Sequence, residues 1–151
     1  GYDGADTWGQ QMAAMSVLMP DEGAVEAVSH YIATQLKTTP STISKLKTGD
    51  PLKGKHLYSN CASCHGDMGQ GNYATNAPKL AGQDPDYLKR QLENYRNEIR
   101  GSHLRDLYGD QMRLMSGMLT TPEAIEDVVS YISLLANTQK GSDVVAEGSH
   151  E

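Results

Sequence analysis

Cys61-Ala-Ser-Cys64-His65 are the residues of this chain best placed to do chemistry. A C-x-x-C-H run is the attachment site of a c-type haem. On a helix, thiols three positions apart lie one turn from each other, so both can form thioethers to the vinyl groups of one porphyrin. The adjacent imidazole is then carried beneath the ring, where it can bind iron. These are the only two cysteines in the 151 residues, so both are accounted for. Other uses of the pair fit less well. A structural zinc site needs four ligands, and His30, His56, His103 and His150 are scattered without ligand spacing. A thioredoxin-like redox pair belongs in a βαβ setting, which this sequence lacks.

His65 fills one axial position, and a six-coordinate electron carrier needs another ligand. A methionine thioether in that place raises the reduction potential. Residues 109–119 offer Met112, Met115 and Met118. Most methionines fill cores, so at least two of these are expected to pack. Downstream position and loop-like sequence favour Met112 or Met115, whereas Met118 reads as packing before the last helix. A bis-histidine arrangement through His56 or His103 is weaker, because His56 sits on the helix leading into the motif and has poor reach.

The elements that must hold these groups are helices. Asp50-Pro51 and Asp84-Pro85 place an N-cap acid before a proline at the first helical position. Thr121-Pro122 does the same. The first helix spans about 51–61 and delivers Cys61. The second runs from about 85 to 100, with Leu88, Leu92, Tyr95 and Ile99 at the helical period, and stops at Gly101. The third, about 122–136, carries Ile125, Val128, Val129, Ile132 and Leu135 as its apolar stripe. No stretch alternates with period two, so the chain reads as all-α.

Residues 9–32 and 109–132 align without a gap at an offset of one hundred. Gly9, Gln11, Met12, Met15, Ser16, Ala24, Glu26, Val28, Tyr31 and Ile32 all recur. This is an internal duplication, yet only one copy is preceded by C-x-x-C-H. Residues 1–36 therefore read as a half-domain remnant of the duplicated unit. Residues 37–50 read as a polar linker, 51–137 as a complete haem domain and 138–151 as a polar, unstructured tail. Gly1 aligns with Gly101, which follows Arg100. A chain starting there reads as the product of a trypsin-like cut in a longer protein, the alternative being a natural short chain with a vestigial repeat.

The net charge of −6 is uneven: −4 over residues 1–40, +3 over 41–113 and −5 over 114–151. No cationic face of the kind that binds nucleic acid is evident, and no apolar run is long enough to span a bilayer. The mildly basic haem segment suits docking to an acidic redox partner. With no phenylalanine, a large side-chain core is not expected, and a buried haem would supply the missing apolar volume. Because c-type haem is attached outside the cytoplasmic membrane, a processed periplasmic chain with its signal peptide removed is expected.

Taken together, Cys61-x-x-Cys64-His65-Gly66, the run from Pro78 to Gln83, Tyr87-Leu88, Gln91-Leu92, and Met112-x-x-Met115 before the last helix resemble class I bacterial cytochromes c. The closest type is the two-domain dihaem periplasmic cytochromes. The resemblance covers residues 52–137, and residues 9–36 are similar to the methionine-bearing end of the family's first domain. It implies one covalently bound haem c clamped between His65 and a methionine, with the Pro78 carbonyl accepting the His65 Nδ1 proton. In such proteins the first methionine of an M-x-x-M pair, seven residues before a leucine, binds iron. Met112 stands seven before Leu119. One extra residue between Leu119 and the last helix keeps Met115 as the alternative ligand.

The resemblance implies electron transfer between redox partner proteins, such as an oxidase, reductase or dehydrogenase, without conversion of a substrate. A second expectation is an electron-entry module or subunit of a larger oxidase or dehydrogenase. A haem protein with an open iron position is disfavoured by the well-placed methionines. Met12 would be an orphan ligand, and Met15, Val25, Val28 and Ile32 a face without its partner. Residues 8–36 are therefore expected to pack on the haem domain or to mediate self-association.

Overall fold

A computed structural model describes residues 3–35 and 49–146, with side chains to 34 and to 135. These residues hold six α-helices, one 3₁₀ turn at Tyr73–Thr75 and no strand. The chain divides into two compact units, residues 1–40 and 41–151. The expected linker residues 37–48 lie outside the described residues.

The first unit is a helical hairpin. α1 (Thr7–Ser16) is capped by Asp6, whose carboxylate accepts from Gly9 N at 2.9 Å. α2 (Glu22–Gln35) follows a short turn, and Asp21 accepts from Ala24 N at 2.8 Å. Each cap satisfies an amide that has no partner inside its helix. No residue of α1 is buried.

The second unit holds α3 (Pro51–His65), α4 (Pro85–Arg96), α5 (Leu107–Ser116) and α6 (Pro122–Ala146). α3 packs along α6, and α4 packs on both α5 and α6. The dry centre is formed by Tyr58, Ala81, Leu88 and Leu119 with the stripe of α6. Ile125, Val128, Val129, Ile132 and Leu135 on that stripe are all buried. At the α3–α6 crossing, a Cβ on Gly54 would run into the Asp127 carbonyl and the Tyr131 side chain. Only glycine lets the two backbones approach so closely. Asp127 in turn accepts from Asp50 N at 2.6 Å, which joins the start of α3 to the same turn of α6.

Four local expectations are corrected. α3 runs on to His65, so the whole haem motif is helical. α4 ends at Arg96 rather than Arg100, because Glu98 adopts a left-handed φ of 59° and its carboxylate turns to Arg113 at 2.8 Å. Met112 and Met115 lie on α5, not in a loop: Asp106 accepts from Gly109 N at 2.8 Å and starts a helix there. α6 continues to Ala146, so residues 138–146 of the expected tail are helical. A single glycine, Gly141, lowers helix propensity by about 1 kcal/mol without ending the helix. Residues 147–151 lie outside the described residues.

Candidate haem site

The last turn of α3 presents the motif. Cys61 and Cys64 are free thiols, the first half-buried and the second exposed. Burial, with the neighbouring Cys64 adding to it, pushes the Cys61 thiol up, so it is neutral at physiological pH. His65 is buried, and its Nδ1 lies 2.8 Å from Pro78 O. A prolyl carbonyl can only accept, so Nδ1 is the donor, and of the two neutral tautomers the bond selects the one with its lone pair on Nε2. A bond of this kind fixes the orientation of an imidazole and raises its basicity towards a metal.

Pro78 returns to His65 because the intervening loop is tied to the end of α3. The final carbonyls of a helix lack intrahelical partners, and loop residues supply them. Gly66 N donates to Ala62 O at 2.8 Å, and Gly71 N donates to His65 O at 2.8 Å. The Thr75 hydroxyl donates to Cys64 O at 3.2 Å. Asn72 and Ala77 pair as an antiparallel bridge, which closes the tip. Leu80 N and Ala81 N both reach Gly69 O, at 2.8 and 3.0 Å. Gly71 has φ of 82°, and a Cβ there would meet Lys79 N at 2.7 Å and the Pro78 carbonyl carbon at 3.0 Å. Glycine is therefore required where the two arms of the loop pass.

Tyr58, one of the least exposed residues at 2 %, donates its hydroxyl to Gly66 O at 2.7 Å. Burial pushes its pKa up to about 12, with Cys61 and Tyr131 adding to the effect, so the hydroxyl remains a donor at neutral pH.

The three candidate methionines differ in setting. Met112 is part-buried and packs against the same core cluster that Cys61 joins. Met115 and Met118 are exposed, at 37 % and 54 %. Of the histidines weighed as alternatives, His56 is exposed on α3. His103 accepts from Arg105 N at 3.3 Å within its own turn. No group of three or more His, Cys, Asp and Glu side chains among the described residues is placed to hold a bare metal ion. An open hollow of about 430 Å³ beside α5 is lined by Glu98, His103, Leu107 and Arg113 among others. None of Cys61, Cys64, His65, Pro78 or Met112 lines it.

These residues fit a c-type haem. Two unpaired thiols share one helical turn, and a buried imidazole has its outer nitrogen occupied. Segment 104–118 also exposes Leu104, Leu107, Tyr108 and Leu114, more apolar surface than one helix in water needs. Sequence reasoning passed over Tyr58 and the helical state of 107–116. The second was signalled by Asp106, three residues before Gly109 and repeated as Asp6 before Gly9.

Comparison with known proteins points to one family. Cytochrome c4 of Thiocapsa roseopersicina is 30 % identical over 103 residues, which cover 62 % of this chain and 51 % of that protein. Cytochrome c4 of Stutzerimonas stutzeri is 34 % identical over 96 residues, 62 % of this chain and 43 % of the relative. The cytochrome subunit of sulfide dehydrogenase from Chlorobaculum tepidum is 27 % identical over 84 residues, 52 % of this chain and 74 % of the subunit. The chain thus spans about half the length of the two cytochromes c4. The family model for cytochrome c matches residues 52–136, more than half of the chain, from the start of α3 into α6. The chain belongs to the cytochrome c family.

Proposed function

We propose that the chain is an electron-transfer protein that passes single electrons between redox partner proteins and converts no substrate itself. The observation that carries this reading is the buried His65 with Nδ1 held by Pro78 O at 2.8 Å, one residue beyond Cys64. Cys61 and Cys64 would tether one haem c, and His65 Nε2 and the Met112 sulfur would hold its iron, with Met115 as the alternative. When bound, the group supplies a one-electron ferric–ferrous couple whose potential the protein sets.

The rest is done by this chain's own atoms. Pro78 fixes the imidazole and its proton, which increases electron donation from Nε2. Tyr58, Ala81 and Leu135 belong to the buried core and close around Gly69, four residues after His65. Cys64 is exposed, so the tethered edge would be the place where a partner comes close. Such encounters bury little area and are short-lived. Because c-type haem is attached outside the cytoplasmic membrane, the working place is the periplasm. No helix among the described residues is long and apolar enough to cross a membrane.

A second reading, an electron-entry subunit of a larger dehydrogenase, is favoured by the likeness to 74 % of the sulfide dehydrogenase cytochrome subunit. Co-purification with one partner at fixed stoichiometry would select it over a free carrier. The exposed Met12, Met15, Val25, Val28 and Ile32 support self-association through residues 8–36. A sedimenting monomer with a protease-sensitive N-terminal segment would refute that part.

Voltammetry of the purified holoprotein tests the main reading. A reversible one-electron wave with a midpoint independent of scan rate is expected, since His65 and Met112 would hold the iron in both oxidation states. A wave that becomes irreversible, or a catalytic current with peroxide, would contradict it.

A further inference from the structure

The Tyr58 hydroxyl lies where three parts of the haem unit meet. Its ring sits 5.3 Å from that of Tyr131, centroid to centroid, and so fastens α3 to α6. Its oxygen donates to Gly66 O at 2.7 Å, on the residue bonded to His65. It also lies beside Gly69: a Cβ there would stand 3.4 Å from the Tyr58 oxygen. Gly69 O is where the returning arm of the loop attaches, through Leu80 N at 2.8 Å and Ala81 N at 3.0 Å. Pro78 is two residues before Leu80. One buried hydroxyl therefore stands at the root of the loop whose returning arm carries Pro78, the partner of His65.

We propose that Tyr58 is a positioning residue for the axial histidine: its hydroxyl holds the base of the 66–81 loop and thereby the length of the His65 Nδ1–Pro78 O hydrogen bond. The inference rests on the reading of His65 as the iron ligand. A buried acceptor that loses its donor carries a large penalty unless it moves, so Gly66 O would turn to find water in Tyr58→Phe. The loop would then relax at its root, and the Nδ1–H···O bond would lengthen. A weaker bond gives the imidazole less anionic character, which stabilises the ferric state less. The potential should rise.

The test compares holoprotein potentials of wild type, Tyr58→Phe and Ile125→Val. The last removes buried carbon from α6 and leaves every hydrogen bond of the loop in place. For Tyr58→Phe the ferrous-to-ferric ratio at fixed poise should increase by about threefold or more, the size of one modest hydrogen bond. Ile125→Val should leave the ratio unchanged while lowering the unfolding midpoint. An unchanged ratio in Tyr58→Phe, or equal shifts in both variants, would overturn the proposal. Should Tyr58→Phe not mature, amide exchange in the wild-type holoprotein decides: Leu80 and Ala81 must be protected like the core of α3, and rapid exchange would overturn the clamp. A wild type that is itself high-spin would instead refute the His65–Met112 reading, a failure distinct from this one.

Discussion

α1 and α5 begin at Thr7 and Leu107 and end at Ser16 and Ser116, each started by an aspartate that accepts from a glycine amide three residues on. Ser16 and Ser116 both donate back to the carbonyl three residues earlier, at 2.8 and 2.9 Å. The two copies match in local structure and differ in surroundings. Val28 is 44 % exposed and Ile32 50 %, whereas Val128 is 1 % exposed and Ile132 3 %. Caps and helical propensity act within a few residues, so a duplicated sequence reproduces them. Burial depends on distant chain: α3 and α4 cover the second copy. The repeat thus separates what a helix needs to form from what it needs to be a core.

The sharpest break of the comparison is at the methionines. Met112→Ala should convert the haem spectrum from low-spin to high-spin, and Met12→Ala should leave it untouched. If Met115→Ala gives the high-spin form instead, the ligand is Met115. Next come the identical isoleucines. Ile132→Ala should lower unfolding stability by about 2–5 kcal/mol, and Ile32→Ala by roughly 0.5 kcal/mol or less, read from denaturant midpoints. Equal losses would show that the first copy is covered after all.

The covering helix gives a third test. Tyr58→Phe should cost about 1–3 kcal/mol at neutral pH by leaving Gly66 O unpaired. The Tyr58 hydroxyl titrates near 12 in the folded protein against 10 ordinarily. The unfolded chain thus releases its proton first, and the wild-type advantage over Tyr58→Phe should shrink as pH rises through that window. A gap that widens instead would place the tyrosinate, not the phenol, in the fold.

Smaller effects follow at the caps and charges. Asp106→Ala should destabilise the haem unit by about 1 kcal/mol, while Asp6→Ala should leave that unit's midpoint unchanged. Glu126 meets Lys89 at 2.6 Å in a part-exposed pair, so Glu126→Gln should cost about 0.5 kcal/mol and less in high salt. Glu26→Gln, at the repeated position, should cost nothing measurable.

Much of the architecture was legible because its signals are local. Asp-Pro pairs mark the starts of α3 and α4, the α6 stripe shows the period of a buried face, and C-x-x-C-H announces its own chemistry. Helix ends were less legible. α4 stops three residues after Glu93 because Glu98 can reach Arg113, a contact between elements that no window of sequence contains. Segment 107–116 looked like a loop because its glycine and methionines hid a helix whose cap lies outside the apolar pattern. Nothing in the sequence singled out Tyr58, since its partner Gly66 O comes within reach only once the chain has turned at the end of α3.

The proposal under test is that His65 and Met112, the latter in the second copy of the repeat, would together hold the iron of one haem. The most direct measurement is the visible spectrum of the holoprotein, oxidised and reduced, with and without carbon monoxide. The account predicts one haem per chain, a low-spin ferrous spectrum indifferent to carbon monoxide and a weak far-red sulfur-to-iron band when oxidised. A high-spin spectrum that shifts with carbon monoxide would mean an open iron position and would contradict it.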